Sequence, residues 1–214
     1  MADEQSTPFV ITNGCIANYR TVLDSLFLNG FARNVFIPRP SDNQLKECIF
    51  RSKLSYDEYH YLNYITGALN FGGMLEDFYL CSHHSTFYVD LNTQYPSGCT
   101  LHPNHWKELL ACCKEREYLV WFNLANGNLG EVSFTESLLP VKNCISQGID
   151  CFLSIDFTNS LSLQQEGIGC VFAFPKKAEQ SILMNGLDCS KRNLAICSTL
   201  LTEETLRKEW YFMI

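Results

Sequence analysis

The stretch from Cys81 to Leu124 constrains this chain more than any other. Phe87, Val89 and Leu91 alternate with Tyr88 and Asp90, the period-two pattern of a half-buried strand. Tyr95-Pro96-Ser97-Gly98 is a turn. Pro103 suits the first turn of a helix, where its missing N–H costs nothing, and Trp106, Leu109, Leu110 and Cys113 then share a buried stripe. Tyr118–Phe122 is a continuous apolar run of strand length, followed by Asn126-Gly127, the dipeptide of a tight hairpin into Leu129–Phe134.

The same stretch concentrates chemistry. It holds four of the five histidines (His83, His84, His102, His105) and four of the eleven cysteines (Cys81, Cys99, Cys112, Cys113). Zinc takes four Cys or His ligands, usually as closely spaced pairs. Cys81-x-His83 and Cys99-x-x-His102 are two such pairs, so Cys81, His83, Cys99 and His102 form the candidate metal set. The competing expectation is buried thiols and surface imidazoles, with no cofactor. For nucleophilic chemistry, Cys15 follows an Asn-Gly turn at the start of a helix, where a thiolate is favoured, and Cys144 is a second candidate. His102 and His105 are candidate bases for such a cysteine/histidine-dependent hydrolase.

Outside this stretch, Phe9–Thr12 reads as a strand. Apolar residues at Ile16, Tyr19, Val22, Leu23, Leu26 and Phe27 then give a helical period. Val35–Ile37 reads as a short strand broken by Pro38, and Ser41 or Asp42 caps a following helix. Ser55-Tyr-Asp-Glu58 has the S-x-x-E form of a capping box and predicts a helix through Leu69. Further strands are expected at Cys151–Phe157, Ile168–Phe174 and Asn193–Leu201, and helices at Ala178–Asn185 and Glu203–Tyr211. The fold class expected is α+β: a single domain over 1–214 with residues 1–7 as a flexible lead. A helix-rich N-terminal third would be followed by a mainly antiparallel sheet with one or two packed helices.

The formal net charge of −7, with basic residues scattered, disfavours a general nucleic-acid binder, although Tyr88, Tyr95, Tyr118 and Trp121 offer rings for a single-stranded nucleic-acid module. The acidic N-terminus lacks the basic region of a secretory signal, and no apolar run reaches the roughly 20 residues of a membrane helix. An intracellular location, cytoplasmic or nuclear, is therefore expected, with reduced thiols. Only 18% of residues are charged, which suggests a surface partly covered by a partner or by a second copy. Tyr56, Tyr59, Tyr61 and Tyr64, together with Trp210, Tyr211 and Phe212 near the C-terminus, are the candidate interface. No nucleotide, phosphate or hydrolase signature occurs. The residues thus point to a non-enzymatic, homo-oligomeric interaction or assembly protein, such as a viral accessory protein. A hydrolase and a zinc-stabilised or single-stranded nucleic-acid-binding module are the alternatives.

Overall fold

The computed structural model describes residues 7–39, 41–60, 71–92, 98, 101–125, 134–160, 167–176, 184, 191–203 and 205–206. Its elements run β1 (Phe9–Thr12), α1 (Cys15–Leu28), β2 (Asn34–Arg39), α2 (Asn43–Arg51), β3 (Ser55–His60), α3 (Phe71–Leu80), β4 (Thr86–Asp90) and α4 (Pro103–Glu115). They continue with β5 (Leu119–Leu124), α5 (Phe134–Ser137), α6 (Leu139–Ser146), β6 (Cys151–Asp156), α7 (Phe157–Ser160), β7 (Gly169–Phe174) and α8 (Lys191–Thr202).

Seven strands form one sheet in the order β1-β7-β6-β5-β4-β2-β3. Strands β2 to β6 run parallel, and only β7 is antiparallel to its neighbours β6 and β1. Parallel neighbours need crossover connections, and helices cover both faces of such a sheet. On one face α1 and α2 bury Tyr19, Val22, Leu23, Leu26, Leu45 and Ile49 against Val35, Ile37, Trp121 and Phe152. On the other, Phe78 of α3, Trp106, Leu109 and Leu110 of α4, and Val141 and Cys144 of α6 cover Phe87, Val120, Phe122 and Leu153. The architecture is a three-layer α/β sandwich, which corrects the expected α+β fold with a mainly antiparallel sheet.

Four local corrections explain that error. Ser55–Glu58 opens no helix; it belongs to β3, paired in register with β2 from Asn34↔Ser55 to Arg39↔His60. Sheet pairing and burial of Tyr59 override the local capping pattern. Pro38 does not break β2, because the β2–β4 ladder covers only Val35↔Thr86 and Phe36↔Phe87, leaving no partner on that side for a proline N–H to miss. The hairpin after β5 cannot form, since β5 already pairs with β4 on one edge and β6 on the other, and Phe134 begins α5. The turn dipeptide Asn126-Gly127 itself lies outside the described residues. Asn193–Leu201, expected as a strand, lies within α8. Asp42, by contrast, caps α2 as its sequence position suggests, accepting from Gln44 N at 2.8 Å.

Candidate functional site

In open parallel sheets, ligands gather at the carboxyl ends of the strands, where the connecting loops splay apart. Here each of four apolar strands carries a polar residue at or next to its carboxyl end: Thr12 in β1, Asp90 in β4, Asn123 in β5 and Asp156 in β6. All four are buried. The register pairs Asp90 with Asn123, and Asn123 with Ser154, so their side chains meet under α1.

They are joined by a continuous hydrogen-bond chain. Trp121 Nε1 donates to Ser154 Oγ at 3.0 Å, and Ser154 Oγ donates to Asn123 Oδ1 at 2.9 Å. Asn123 Nδ2 donates to Asp90 Oδ1 at 2.8 Å, and Tyr88 Oη donates to the same oxygen at 3.0 Å. Asn123 is 1% exposed and Asp90 3%, so each bond is made with little water to replace it. Burial, and then the Asp90 charge, push the Tyr88 phenol well above its ordinary range, fixing it as a donor. Tyr19 of α1 closes the cluster from above, edge-on to Tyr88 and Trp121, with its hydroxyl 3.3 Å from Asp42 Oδ2.

A second knot holds β1 and α1 to β6 and β7. Thr12 Oγ1 donates to Asn18 Oδ1, and Asn18 Nδ2 donates to Ile155 O at 2.9 Å. Gly169 makes room for it: a Cβ there would stand 2.8 Å from both Asn18 Nδ2 and Ile155 O. Gly14 turns the chain from β1 into α1 at φ 87°, beside Thr158. Asp156 Oδ1 accepts from Thr158 N at 2.9 Å, yet burial raises this carboxyl above its usual range.

The structure separates the residues that the sequence groups together. Cys81 and His83 precede β4, whereas His102 caps the N-terminus of α4, beyond the other end of that strand. The five residues of β4 thus lie between Cys81 and His83 on one side and His102 on the other. Among the described residues no three His, Cys, Asp or Glu side chains converge as metal ligands, and Cys99 lies outside those residues. Cys15 does open α1, but burial pushes its thiol up to about 12, with the carboxylates of Asp156, Asp42 and Asp90 acting in the same direction. That is a neutral thiol, the opposite of an activated nucleophile. Cys144 is fully buried under the sheet, 3.9 Å from Ile149 O. His102 Nδ1 accepts from Asn104 N at 3.3 Å, and His105 follows on the same helix with its ring 6.0 Å away. Neither cysteine is a demonstrated partner of these imidazoles. Of the interface tyrosines, Tyr56 is exposed on the edge strand while Tyr59 is buried and donates to Tyr88 O at 3.2 Å. Tyr61, Tyr64, Trp210, Tyr211 and Phe212 lie outside the described residues.

The comparisons with known proteins meet the fold at this point. No family model matches the chain. Over 190 residues it is 26% identical to mitochondrial aspartate aminotransferase of Gallus gallus, covering 84% of this chain and 45% of that protein. An aromatic amino acid aminotransferase solved with 3-indolebutyric acid superposes with a TM-score of 0.81 at 19% identity, over 97% of this chain and 55% of the other. The aromatic-amino-acid aminotransferase of Burkholderia pseudomallei, covalently bound to pyridoxal phosphate, gives 0.78 at 19% identity, over 94% of this chain and 53% of that one. The chain therefore spans about half the length of the proteins it matches.

These likenesses overturn the reading as a non-enzymatic assembly or viral accessory protein, and neither the hydrolase nor the zinc or nucleic-acid alternative matches them. They also overturn the expectation of no cofactor but zinc, since a protein of the same fold carries pyridoxal phosphate. The rim of this chain fits that group only in part. Its polar side chains offer hydrogen bonds, but an aldehyde is bound covalently by an amine, and no lysine among the described residues lies at the rim. Covalent attachment through the described lysines does not fit. No helix among the described residues is long and apolar enough to cross a membrane.

Proposed function

We propose that this protein is a divergent relative of the aspartate and aromatic aminotransferases, with its working site at the polar rim where β1, β4, β5 and β6 end. The ligands in this reading are those that such proteins handle, an amino acid or a pyridoxal-phosphate-like pyridine. The observation that carries it is the buried chain Trp121–Ser154–Asn123–Asp90–Tyr88, built at the carboxyl ends of the strands in a sheet that superposes on aminotransferases over nearly its whole length. A purely structural sheet needs no row of polar side chains there, because burying them costs more than burying apolar ones unless every bond is made. Self-association belongs to the same reading, supported by exposed Phe50 and Leu80, at 84% and 86%. So does an intracellular site of action.

Calorimetric titration of the full chain with aspartate, phenylalanine and pyridoxal phosphate tests the proposal. At least one of them is expected to bind more tightly than about 1 mM, and Asp156→Asn is expected to weaken it about tenfold, as loss of a charged hydrogen-bond partner does. Three flat titrations from a folded sample would reject it.

A further inference from the structure

We infer that none of the seven lysines among the described residues fixes pyridoxal phosphate, so that any of this compound held at the rim is held without a covalent bond to them. The inference rests on the rim being the ligand site, as proposed above, and concerns how the site works. Covalent capture of an aldehyde requires an unprotonated lysine Nζ to add to the carbonyl carbon. A carbon–nitrogen double bond then forms, and the oxygen leaves as water with both amine hydrogens. The reacting amine must reach the ligand, which makes lysine position decisive.

The sequence places lysines at nine positions, and seven fall within the described residues. Lys176 follows β7, the antiparallel strand, and its backbone N–H donates to Asp150 Oδ1 at 2.5 Å, at the start of β6. The six residues of β6 put that point roughly 20 Å from the rim. Lys53 precedes β3 and lies over the Phe27 ring at the same far end of the sheet. Lys46 is paired with Glu58 at 2.6 Å beside the edge strand, two strands out from β4. Lys107 and Lys114 are exposed on α4, Lys142 on α6 and Lys191 at the start of α8. Lys177 and Lys208 lie outside the described residues.

The side chains that do face the rim cannot take over the task. Asp90, Asn123, Asp156 and Thr12 carry no amine nucleophile, because an amide nitrogen gives its electron pair to its carbonyl. Cys15, the one thiol at the start of α1, is half-buried beside Tyr19, and burial raises its thiol well above the usual range.

Incubating the full chain with pyridoxal phosphate, reducing with borohydride and mapping the modified peptides by mass tests this. The expected label is fractional, spread over exposed lysines such as Lys107, Lys114 and Lys142, and proportional to reagent concentration. Gel filtration before reduction is expected to remove the compound. One of these seven lysines labelled at a ratio near one per chain, surviving gel filtration and lost in Asp156→Asn, would overturn the inference while supporting the proposed site. Fractional surface labelling with no calorimetric binding of any ligand would reject the proposed function and uphold the absence of a lysine bond.

Discussion

The two ends of the sheet are built on opposite terms. At the carboxyl ends of the parallel strands, polar side chains are buried and bonded to one another through Asp90, Asn123 and Ser154. At the amino ends, an open cleft of about 790 Å³ is bordered by Arg33, His83, His84, Lys114 and Lys176, with Glu117 and Asp150 among them. Its charges face water, where pairs such as His84 and Glu117, 3.6 Å apart, contribute little. Concavity by itself directs attention to the end opposite the proposed site. The informative signal is a polar group that the fold has gone out of its way to bury and satisfy.

The largest effect should come from Cys15. A thiol raised from 9 to about 12 has about a thousandfold less thiolate at neutral pH than an ordinary one. Alkylation of the native chain with mass readout should therefore find Cys15 among the slowest thiols, despite its helix N-terminus. Rapid, selective labelling there would restore the nucleophile that the rim geometry argues against.

Next comes a direct contrast of the two ends. Asn123→Ala removes one donor from Asp90 and one acceptor from Ser154 in a buried site, and should cost about 2–4 kcal/mol by denaturant unfolding. Lys114→Ala at the other end should stay within about 0.5 kcal/mol. Equal losses would erase the distinction drawn between the ends.

The smallest effect is a slope. Asp156 has a carboxyl raised in the folded state, so the native protein binds its proton more tightly than the unfolded chain does. This group therefore lowers stability as pH rises from about 4, its unfolded range, through the raised folded value. Unfolding midpoints of Asp156→Asn across that window should lack this decline. An unchanged slope would mean that burial of the rim is incomplete at β6.

Much of the local structure is legible in the sequence. The α1 period, the Asp42 cap, the Pro103 start of α4, and the β6 and β7 runs appear close to where they are expected, because short-range sterics and capping decide them. The Phe87–Leu91 alternation marks a strand but not its half-burial, since both faces of β4 are buried. The proposed site was legible in a weaker sense: apolar strands with Thr12, Asp90, Asn123 and Asp156 at or next to their carboxyl ends form a repeated pattern. Histidines and cysteines, the usual carriers of chemistry, drew attention elsewhere. Cys81-x-His83 and Cys99-x-x-His102 are close in sequence, yet the strand between them sets the described members at opposite ends of the sheet.

What the sequence determined alone is the elements fixed by local signals, such as α1, α2, α4, β6 and β7, since period and turn chemistry act within a few residues. What only the tertiary structure decided is strand direction and order. The Ser55 segment became a strand because β2 offered it an edge, and β5 refused a hairpin because both its edges were taken. Parallel pairing joins segments far apart in the chain, and no local pattern encodes which distant edge a strand will meet. That choice brings Asp90, Asn123, Ser154 and Asp156 to one rim, and leaves every lysine of known position away from it.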